Sequence, residues 1–290
     1  MWCFLHWFRL VMCVGSQEFR FGIVGDLQYA DVADGTNFEG TRVRRYRSSL
    51  SMLKRASRWF GESSVSFAVL LGDVFDKQAL GALAEAESRV AEAMATASSG
   101  VEWHVTVGNH DLYTHSRSSL ATSEVYGRSH RSGRFYYAFE PADGWVCIVL
   151  DGYELSVLDR TSPLYDASAA LLSAENANVN GSSPAASSAA LPRGWYDGLA
   201  GPRRRWVPFN GGYSTAQLAW LDDVLSRTAA TGARAMVFAH GPVYHRASSG
   251  GADFLSWNYD AILSTFDAHP GVVRAFVSGH DHAGGRVGQG

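Results

Sequence analysis

Five short polar clusters follow apolar runs of this chain, and they constrain its fold more than any other feature. Each cluster carries Asp, Asn, Gln or His directly after a stretch that is typical of a buried β-strand. They are residues 25–28 (GDLQ), 72–76 (GDVFD), 108–111 (GNHD), 239–242 (AHGP) and 279–282 (GHDH). Strand and helix signals alternate between them, which predicts an α/β layered fold. Because ligands bind at the carboxyl ends of strands in such folds, we expect the clusters to meet at one site.

The residue types in these clusters suit a pair of divalent cations. Two neighbouring ions need an anionic ligand that bridges them, and the carboxylate of Asp73 is suited to this task. Asp26 and Gln28 lie two positions apart on an extended segment, so their side chains can face the same way. His280 and His282 repeat this spacing after the last strand. The sequence therefore predicts one metal site built from distant parts of the chain.

The composition limits which binding partners and which cellular location are expected. A net charge of −3 over 290 residues gives no sign of nucleic-acid binding. Three scattered cysteines are too few for a disulfide framework, which favours a reducing, cytoplasmic location. The apolar N-terminus is shorter than the roughly 20 residues that a membrane span needs. We expect a poorly ordered leader over residues 1–18, with a targeting segment as the alternative.

Residues 19–290 are expected to form a single domain, because polar clusters at strand ends extend over its whole length. Residues 166–194 differ in kind, since they are rich in Ala, Ser, Asn and Gly and have few large apolar side chains. Such a stretch buries too little surface to offset its ordering entropy. We therefore expect a flexible insertion there, within the domain rather than between two domains.

The order D-x-Q, G-D-x-x-D, G-N-H-D, H and G-H-x-H resembles the calcineurin-like metallophosphoesterase superfamily. This resemblance implies a four-layer α/β sandwich, with two mixed β-sheets face to face, helices outside and a two-metal site at one edge. Family members continue beyond the last motif, so strands that close one sheet are expected to be missing. The stretches GDLQYAD, DGTNFEGTRVRRYRSSL, FNGGYSTAQLAWLDDVL and GHDHAGG look like a narrower family, the manganese-dependent ADP-ribose/CDP-alcohol diphosphatases.

The resemblance implies four protein ligands for each of two metal ions, with one ligand shared. They are Asp26, Gln28, Asp73 and His282 for one ion, and Asp73, Asn109, His240 and His280 for the other. It makes His110 the general acid, and Asp76 and Asp111 groups that orient their neighbours. Most superfamily members have His where this chain has Gln28. A glutamine oxygen is a harder ligand than imidazole and favours Mn²⁺, with Mg²⁺, Fe and Zn²⁺ as alternatives.

Four further side chains are candidates for substrate contact: Phe38, Arg45, Phe254 and Trp257. The aromatic rings would stack on a nucleobase, and the arginine would bind a phosphate. Both assignments have alternatives that the sequence leaves open. Aromatic residues more often lie in a core, and arginines on a helix face more often point to solvent.

The function implied by the resemblance is two-metal hydrolysis of the pyrophosphate bond of ADP-ribose and CDP-alcohols of the CDP-choline type. The expected partner is thus a small nucleotide diphosphate, and the protein is expected to be a monomer that binds neither nucleic acid nor membrane. One alternative is another calcineurin-like phosphodiesterase. A second is a catalytically dead member that serves as a scaffold; such proteins usually lose ligands, whereas here each ligand position holds a competent residue.

Overall fold

The computed structural model describes residues 8–14, 17–37, 40–97, 100–179, 193–248 and 251–288. These ranges contain ten strands: β1 (Phe8–Val14), β2 (Gln17–Val24), β3 (Gly35–Thr36), β4 (Val43–Arg44), β5 (Phe67–Leu70), β6 (Glu102–Val105), β7 (Tyr137–Ala142), β8 (Trp145–Val149), β9 (Arg234–Ala239) and β10 (Val273–Ser278). They also contain seven α-helices: α1 (Tyr46–Glu62), α2 (Leu83–Ala95), α3 (Asn109–Thr114), α4 (Arg117–Thr122), α5 (Tyr165–Glu175), α6 (Thr215–Ala230) and α7 (Tyr259–Ala268).

The strands form two mixed four-stranded sheets and one short ribbon. The first sheet has the order β1-β2-β5-β6, in which β1 and β2 are antiparallel and the remaining pairs are parallel. The second sheet has the order β10-β9-β8-β7, in which only β8 and β7 are antiparallel. Strands β3 and β4 pair with each other as a separate antiparallel ribbon.

An aromatic core joins the two sheets face to face. The rings of Phe21 and Phe67 stack with centroids 5.2 Å apart, and Phe238 of the second sheet meets Phe21 edge-on at 5.8 Å. On the outer faces, buried residues of α1 and α2 pack on the first sheet, and those of α6 and α7 pack on the second. The predicted α/β sandwich of two mixed sheets flanked by helices is thereby confirmed.

Regular structure occurs within the predicted leader and at the start of the predicted insertion. Strand β1 lies inside the leader and pairs along β2 in register from Phe8 to Val14. Helix α5 occupies the start of the insertion, and its Leu172 is buried in a cluster with Trp195. The division of the chain into leader, domain and insertion stays a prediction. Residues 180–192 lie outside the described residues.

The parallel strands bring the five polar clusters to a common edge. Strands β2, β5 and β6 run in the same direction, as do β9 and β10, and each of these strands ends next to one cluster. The backbone N–H of His280 donates to Oδ1 of Asp26 at 2.9 Å, which ties the end of β10 to the end of β2. Among the helices in the described ranges, none combines the length and apolar character that crossing a bilayer requires.

Candidate metal centre

Asp73 is at the centre of the assembled site. Its side chain is buried, and its Oδ1 accepts a hydrogen bond of 2.8 Å from the backbone N–H of His110. Two groups of possible ligands share this carboxylate: Asp73, His240 and His280 in one, and Asp26, Asp73 and His282 in the other. Within each group the ligand atoms lie within 4.8 Å of one another. This arrangement has the form of two adjacent cation sites with one bridging carboxylate.

The hydrogen bonds of His240 and His280 turn one ring nitrogen of each residue toward the other. Nδ1 of His240 lies 2.6 Å from the carbonyl oxygen of Leu71, and Nε2 of His280 lies 2.9 Å from Oδ1 of Asn210. Both oxygens are acceptors, so both of these nitrogens carry the hydrogen. The remaining nitrogens, Nε2 of His240 and Nδ1 of His280, are 3.1 Å apart. Two neutral imidazoles in this arrangement repel unless a cation lies within reach of both, so the donor set fits a metal ion.

The pKa values of Asp73, His240 and His280 show that this group of side chains stabilises a positive charge. Burial disfavours the charged form of His240, but the Asp73 carboxylate outweighs burial and raises the pKa of His240 to about 9. Burial, together with the charge on His240, lowers the pKa of His280 to about 3. Burial also opposes ionisation of Asp73, yet the charges of His240 and His110 hold its pKa well below the usual range. A bound divalent ion would supply the charge that a proton on His240 otherwise provides.

The second ligand group opens toward solvent. Nε2 of His282 lies 3.5 Å from Oδ1 of Asp26 and 3.3 Å from Nε2 of Gln28, and the His282 side chain is 34% exposed. The same Gln28 nitrogen lies 3.4 Å from Oδ2 of Asp73. A half-turn of the amide exchanges its oxygen and nitrogen, which would present Oε1 as the ligand atom at this position.

Left-handed backbone at the strand ends turns these side chains inward. Asp26, Gln28, Asp73 and His280 have φ values of 48°, 45°, 50° and 69°. They are four of the six non-glycine residues with positive φ in the described part of the chain. Such conformations cost on the order of 1–3 kcal/mol each and cluster at functional sites. Gly108 allows the close approach, since a Cβ there would lie 2.2 Å from Oδ1 of Asp73.

Asp111 holds two of the clusters together. Its carboxylate accepts hydrogen bonds from the backbone N–H groups of Asp73 at 2.9 Å, Val74 at 2.8 Å and Gly108 at 2.8 Å. The hydroxyl of Tyr126 also donates to it. Asp111 thus ties together the backbone on either side of Asp73, and its orienting role stays a prediction.

Asn109 begins helix α3 next to this centre and is buried. Its Nδ2 donates to the hydroxyl of Tyr113 at 3.2 Å, and its Oδ1 lies 3.4 Å from the hydroxyl of Tyr153. These two tyrosines orient the Asn109 amide, and its assignment as a ligand stays a prediction.

His110, Asp76 and Arg44 form a chain of contacts at the edge of the centre. Oδ2 of Asp76 lies 3.2 Å from Nδ1 of His110 and 2.7 Å from Nη1 of Arg44. Burial opposes ionisation of Asp76, but His110 and the backbone of Gln78 hold its pKa below the usual value. Asp76 thus lies in position to orient the ring of His110, and that role stays a prediction.

The residues predicted to contact the substrate lie in different environments. Trp257 is fully buried and its Nε1 donates to the carbonyl of Val207 at 3.0 Å, so that prediction is corrected to a core role. Arg45 is paired with Asp34 at 3.6 Å on the surface, and its neighbour Arg44 is the arginine that reaches the centre.

Of the two other candidates, only Phe254 can be placed. Its ring meets the ring of His280 edge-on with centroids 5.3 Å apart, so it lies against a predicted ligand. Phe38 lies outside the described residues.

Two residues that contact the centre, Tyr153 and Asn210, have no role in the prediction from sequence. The ring of Tyr153 lies 5.8 Å from that of His240, and its hydroxyl donates to the carbonyl of Phe209 at 3.1 Å. Asn210 belongs to the FNGG stretch, whose Asn and Gly are typical of loops, so only the family resemblance of this stretch points to a role for it.

Comparisons with known proteins agree with this geometry. A model of the calcineurin-like phosphoesterase family matches residues 19–284. Proteins named manganese-dependent ADP-ribose/CDP-alcohol diphosphatase are similar to the chain: one from Homo sapiens is 36% identical over 92% of this chain and 78% of its own length. One from Oryza sativa is 34% identical over 95% and 81%, respectively. The crystal structure of a dimetal phosphatase from Danio rerio superposes with a TM-score of 0.78 and 34% identity, covering 93% of this chain and 84% of that one.

Proposed function

Because the chain belongs to the calcineurin-like phosphoesterase family, we propose that it is a manganese-dependent diphosphatase. It hydrolyses the pyrophosphate bond of ADP-ribose and CDP-alcohols and releases a nucleoside monophosphate. Relatives from animals and plants that are about a third identical carry this activity in their names. The observation that carries the proposal is the carboxylate of Asp73, which belongs to both ligand groups at once.

The proposed ligands divide between two ions in the way that the sequence suggests. Asp26, Gln28, Asp73 and His282 would hold one ion, and Asp73, Asn109, His240 and His280 would hold the other. The proposal is supported by two buried ring nitrogens, Nε2 of His240 and Nδ1 of His280, which face each other at 3.1 Å. When bound, the two Mn²⁺ ions neutralise phosphate charge and lower the pKa of the attacking water.

The other residues of the centre act on the substrate and on protons. The contact between Asp76 and Nδ1 of His110 leaves Nε2 of His110 as the nitrogen that donates a proton to the leaving phosphate. Arg44 adds a cation beside this pair, at the side where the leaving phosphate would develop charge. Phe254 and the predicted Phe38 would stack on the base or ribose of the substrate. The products from ADP-ribose are AMP and ribose 5-phosphate, and those from CDP-choline are CMP and a phosphorylated alcohol.

The proposal is tested by incubating purified protein with ADP-ribose, CDP-choline, a cyclic nucleotide and bis(p-nitrophenyl) phosphate, each with MnCl₂ or MgCl₂. We expect Mn²⁺-dependent release of AMP and CMP, and a loss of at least about 10³-fold in Asp73→Asn, because one oxygen of the bridging ligand becomes a neutral amide nitrogen. Asp223→Asn is the matched control, since this exposed residue pairs only with Arg227 one helical turn away.

Three outcomes separate the alternatives. Faster hydrolysis of the cyclic nucleotide or the diester than of ADP-ribose would favour another phosphodiesterase. A folded protein that releases no AMP with Mn²⁺ would favour the scaffold. Equal activity of Asp73→Asn and the wild type would overturn the metal assignment itself.

We further propose that residues 19–290 form a single domain and that the protein is a cytoplasmic monomer. The aromatic core that joins both sheets supports one folding unit. A buried free thiol at Cys147, whose pKa is raised by burial, is compatible with a reducing compartment. Light scattering coupled to size exclusion tests the oligomeric state, and one protomer per particle is the expected result.

A further inference from the structure

Asn210 is held in one orientation by the backbone around it. It is buried, and its Nδ2 donates to the carbonyl oxygens of Arg205 at 2.9 Å and of Asp253 at 2.7 Å. A carbonyl oxygen only accepts, so the atom between these two groups must be the amide nitrogen. Turning the amide over would place its oxygen against two other oxygens and leave both carbonyls unsatisfied. Oδ1 of Asn210 is therefore fixed as an acceptor, 2.9 Å from Nε2 of His280.

We propose that Asn210 is a positioning residue that selects the tautomer of His280, with the hydrogen on Nε2 and the lone pair of Nδ1 directed at the metal centre. This inference rests on the proposed two-metal function and adds to it a residue outside the ligand set. The carbonyl of Leu71 does the same for His240 through Nδ1. Each of the two facing histidines thus has its outer nitrogen on an oxygen acceptor, and only its inner nitrogen is free to bind a cation.

The support for Asn210 comes from a part of the fold outside both sheets. The 3₁₀ helix Gly251–Phe254 supplies the Asp253 carbonyl and also packs the ring of Phe254 edge-on against His280. Its Asp253 carboxylate accepts two hydrogen bonds from Arg204, at 2.6 and 2.7 Å. This helix therefore fixes both the amide that contacts His280 and a ring that limits its rotation.

An asparagine can also be needed only for folding, and the half-buried Asn258 offers the comparison. Its Oδ1 accepts from the backbone N–H of Tyr213 at 3.0 Å, and its Nδ2 donates to the carbonyl of Tyr213 at 2.8 Å. Like Asn210, it bridges two loops through backbone groups. Among the described residues, however, its hydrogen-bond partners do not include a histidine of the centre.

The test uses the full chain and MnCl₂ alone. Mn²⁺ titrations by calorimetry and by electron paramagnetic resonance of free Mn²⁺ are compared for wild type, Asn210→Leu, Asn210→Asp and Asn258→Leu. We expect Asn210→Leu to weaken one of two Mn²⁺ sites about 10- to 100-fold, as for lost partners of metal-binding histidines. Asn210→Asp keeps an acceptor for Nε2 but places an oxygen against the carbonyls of Arg205 and Asp253, so it should lower stability and still weaken Mn²⁺ binding less than Asn210→Leu does. Asn258→Leu should retain both sites, whatever its stability.

Nitrogen-15 spectra of the histidine rings in metal-free protein give a readout that depends neither on turnover nor on Mn²⁺. We expect the His280 ring to show hydrogen on Nε2 in wild type and Asn210→Asp, and a mixture of tautomers in Asn210→Leu. The proposal is overturned if Asn210→Leu keeps the wild-type tautomer and both Mn²⁺ affinities, or if Asn258→Leu weakens Mn²⁺ binding equally. A protein that binds two Mn²⁺ ions but does not cleave ADP-ribose would overturn the proposed function and leave this inference standing.

Discussion

Arg44 places Nη1 2.7 Å from Oδ2 of Asp76, the oxygen that also faces Nδ1 of His110 at 3.2 Å. The Nε atom of Arg44 is buried and has no hydrogen-bond partner within the part of the chain that the structure describes. We expect Arg44→Ala to lower kcat/KM for ADP-ribose about 10- to 100-fold, which corresponds to one charge-assisted hydrogen bond lost to the substrate phosphate. Steady-state release of AMP at saturating MnCl₂ measures this change.

The adjacent Arg45 provides the control for that prediction. It is more than half exposed and pairs with Asp34 at the surface, so Arg45→Ala should keep kcat/KM within about 2-fold, as for most exposed ion pairs. Equal losses in the two variants would mean that the ribbon as a whole, and not the Arg44 cation, is needed.

Adding Mn²⁺ should stabilise the fold through the shared carboxylate of Asp73. A ligand that binds only the native state at 100 times its Kd contributes about 2.7 kcal/mol. Differential scanning fluorimetry of chelator-treated protein should therefore show a melting temperature that rises with MnCl₂. Asp73→Asn should lose most of this rise, and a variant that responded like the wild type would contradict the bridging role.

Trp257 and Phe254 should respond to truncation in opposite ways. Trp257 is fully buried and stacks on Trp206 at 6.0 Å, so Trp257→Ala should lower the free energy of unfolding by about 3–5 kcal/mol. Phe254→Ala should affect stability less, because the ring is only partly buried, and should chiefly raise KM for ADP-ribose. Urea unfolding and steady-state kinetics on both variants check the pair of predictions.

His104 should make the fold sensitive to mild acid. Burial, with a smaller effect of the Arg131 charge, lowers the pKa of His104 to about 3. The unfolded state, with an ordinary histidine pKa near 6.5, therefore binds the proton more readily. The contribution of neutral His104 to the free energy of unfolding is fully present above about pH 6.5 and is lost as the pH falls toward 3. By pH 5 the loss reaches about 2 kcal/mol.

Urea unfolding at pH 7 and pH 5 measures this effect, with His104→Phe as the comparison. The new ring keeps the contact with Phe139, which stacks on His104 at 3.9 Å, but cannot be protonated. His104→Phe should lose less stability than the wild type over this interval, and parallel losses would show that other groups cause the acid sensitivity.

The sequence was sufficient to predict the sheets and the meeting of the clusters, because both follow from local patterns. A buried strand is recognisable from its apolar run, and parallel strands must end at the same edge of a sheet. The choice between Arg44 and Arg45 could not be made in this way. Arg44 is the last residue of β4 and Arg45 is the N-cap of α1, so the turn from strand to helix decides which arginine reaches Asp76.

The roles of Trp257 and Asn210 were out of reach for a related reason. Both lie in irregular segments, where no periodicity separates buried from exposed positions. Trp257 is buried because separate loops close over it, and Asn210 contacts His280 because a 3₁₀ helix some 40 residues later fixes its amide. Such contacts depend on the packing of distant segments, which a single sequence does not encode in any local pattern.

The left-handed backbone of Asp26, Gln28, Asp73 and His280 has a consequence for how such a chain would evolve without selection for catalysis. Glycine at any of these positions would relieve the strain. Without selection for catalysis, substitutions that stabilise the fold would therefore replace these polar side chains first. A member retired from catalysis would be expected to show such replacements. This chain retains all four polar side chains at strained backbone positions, as expected of a protein under selection for catalysis.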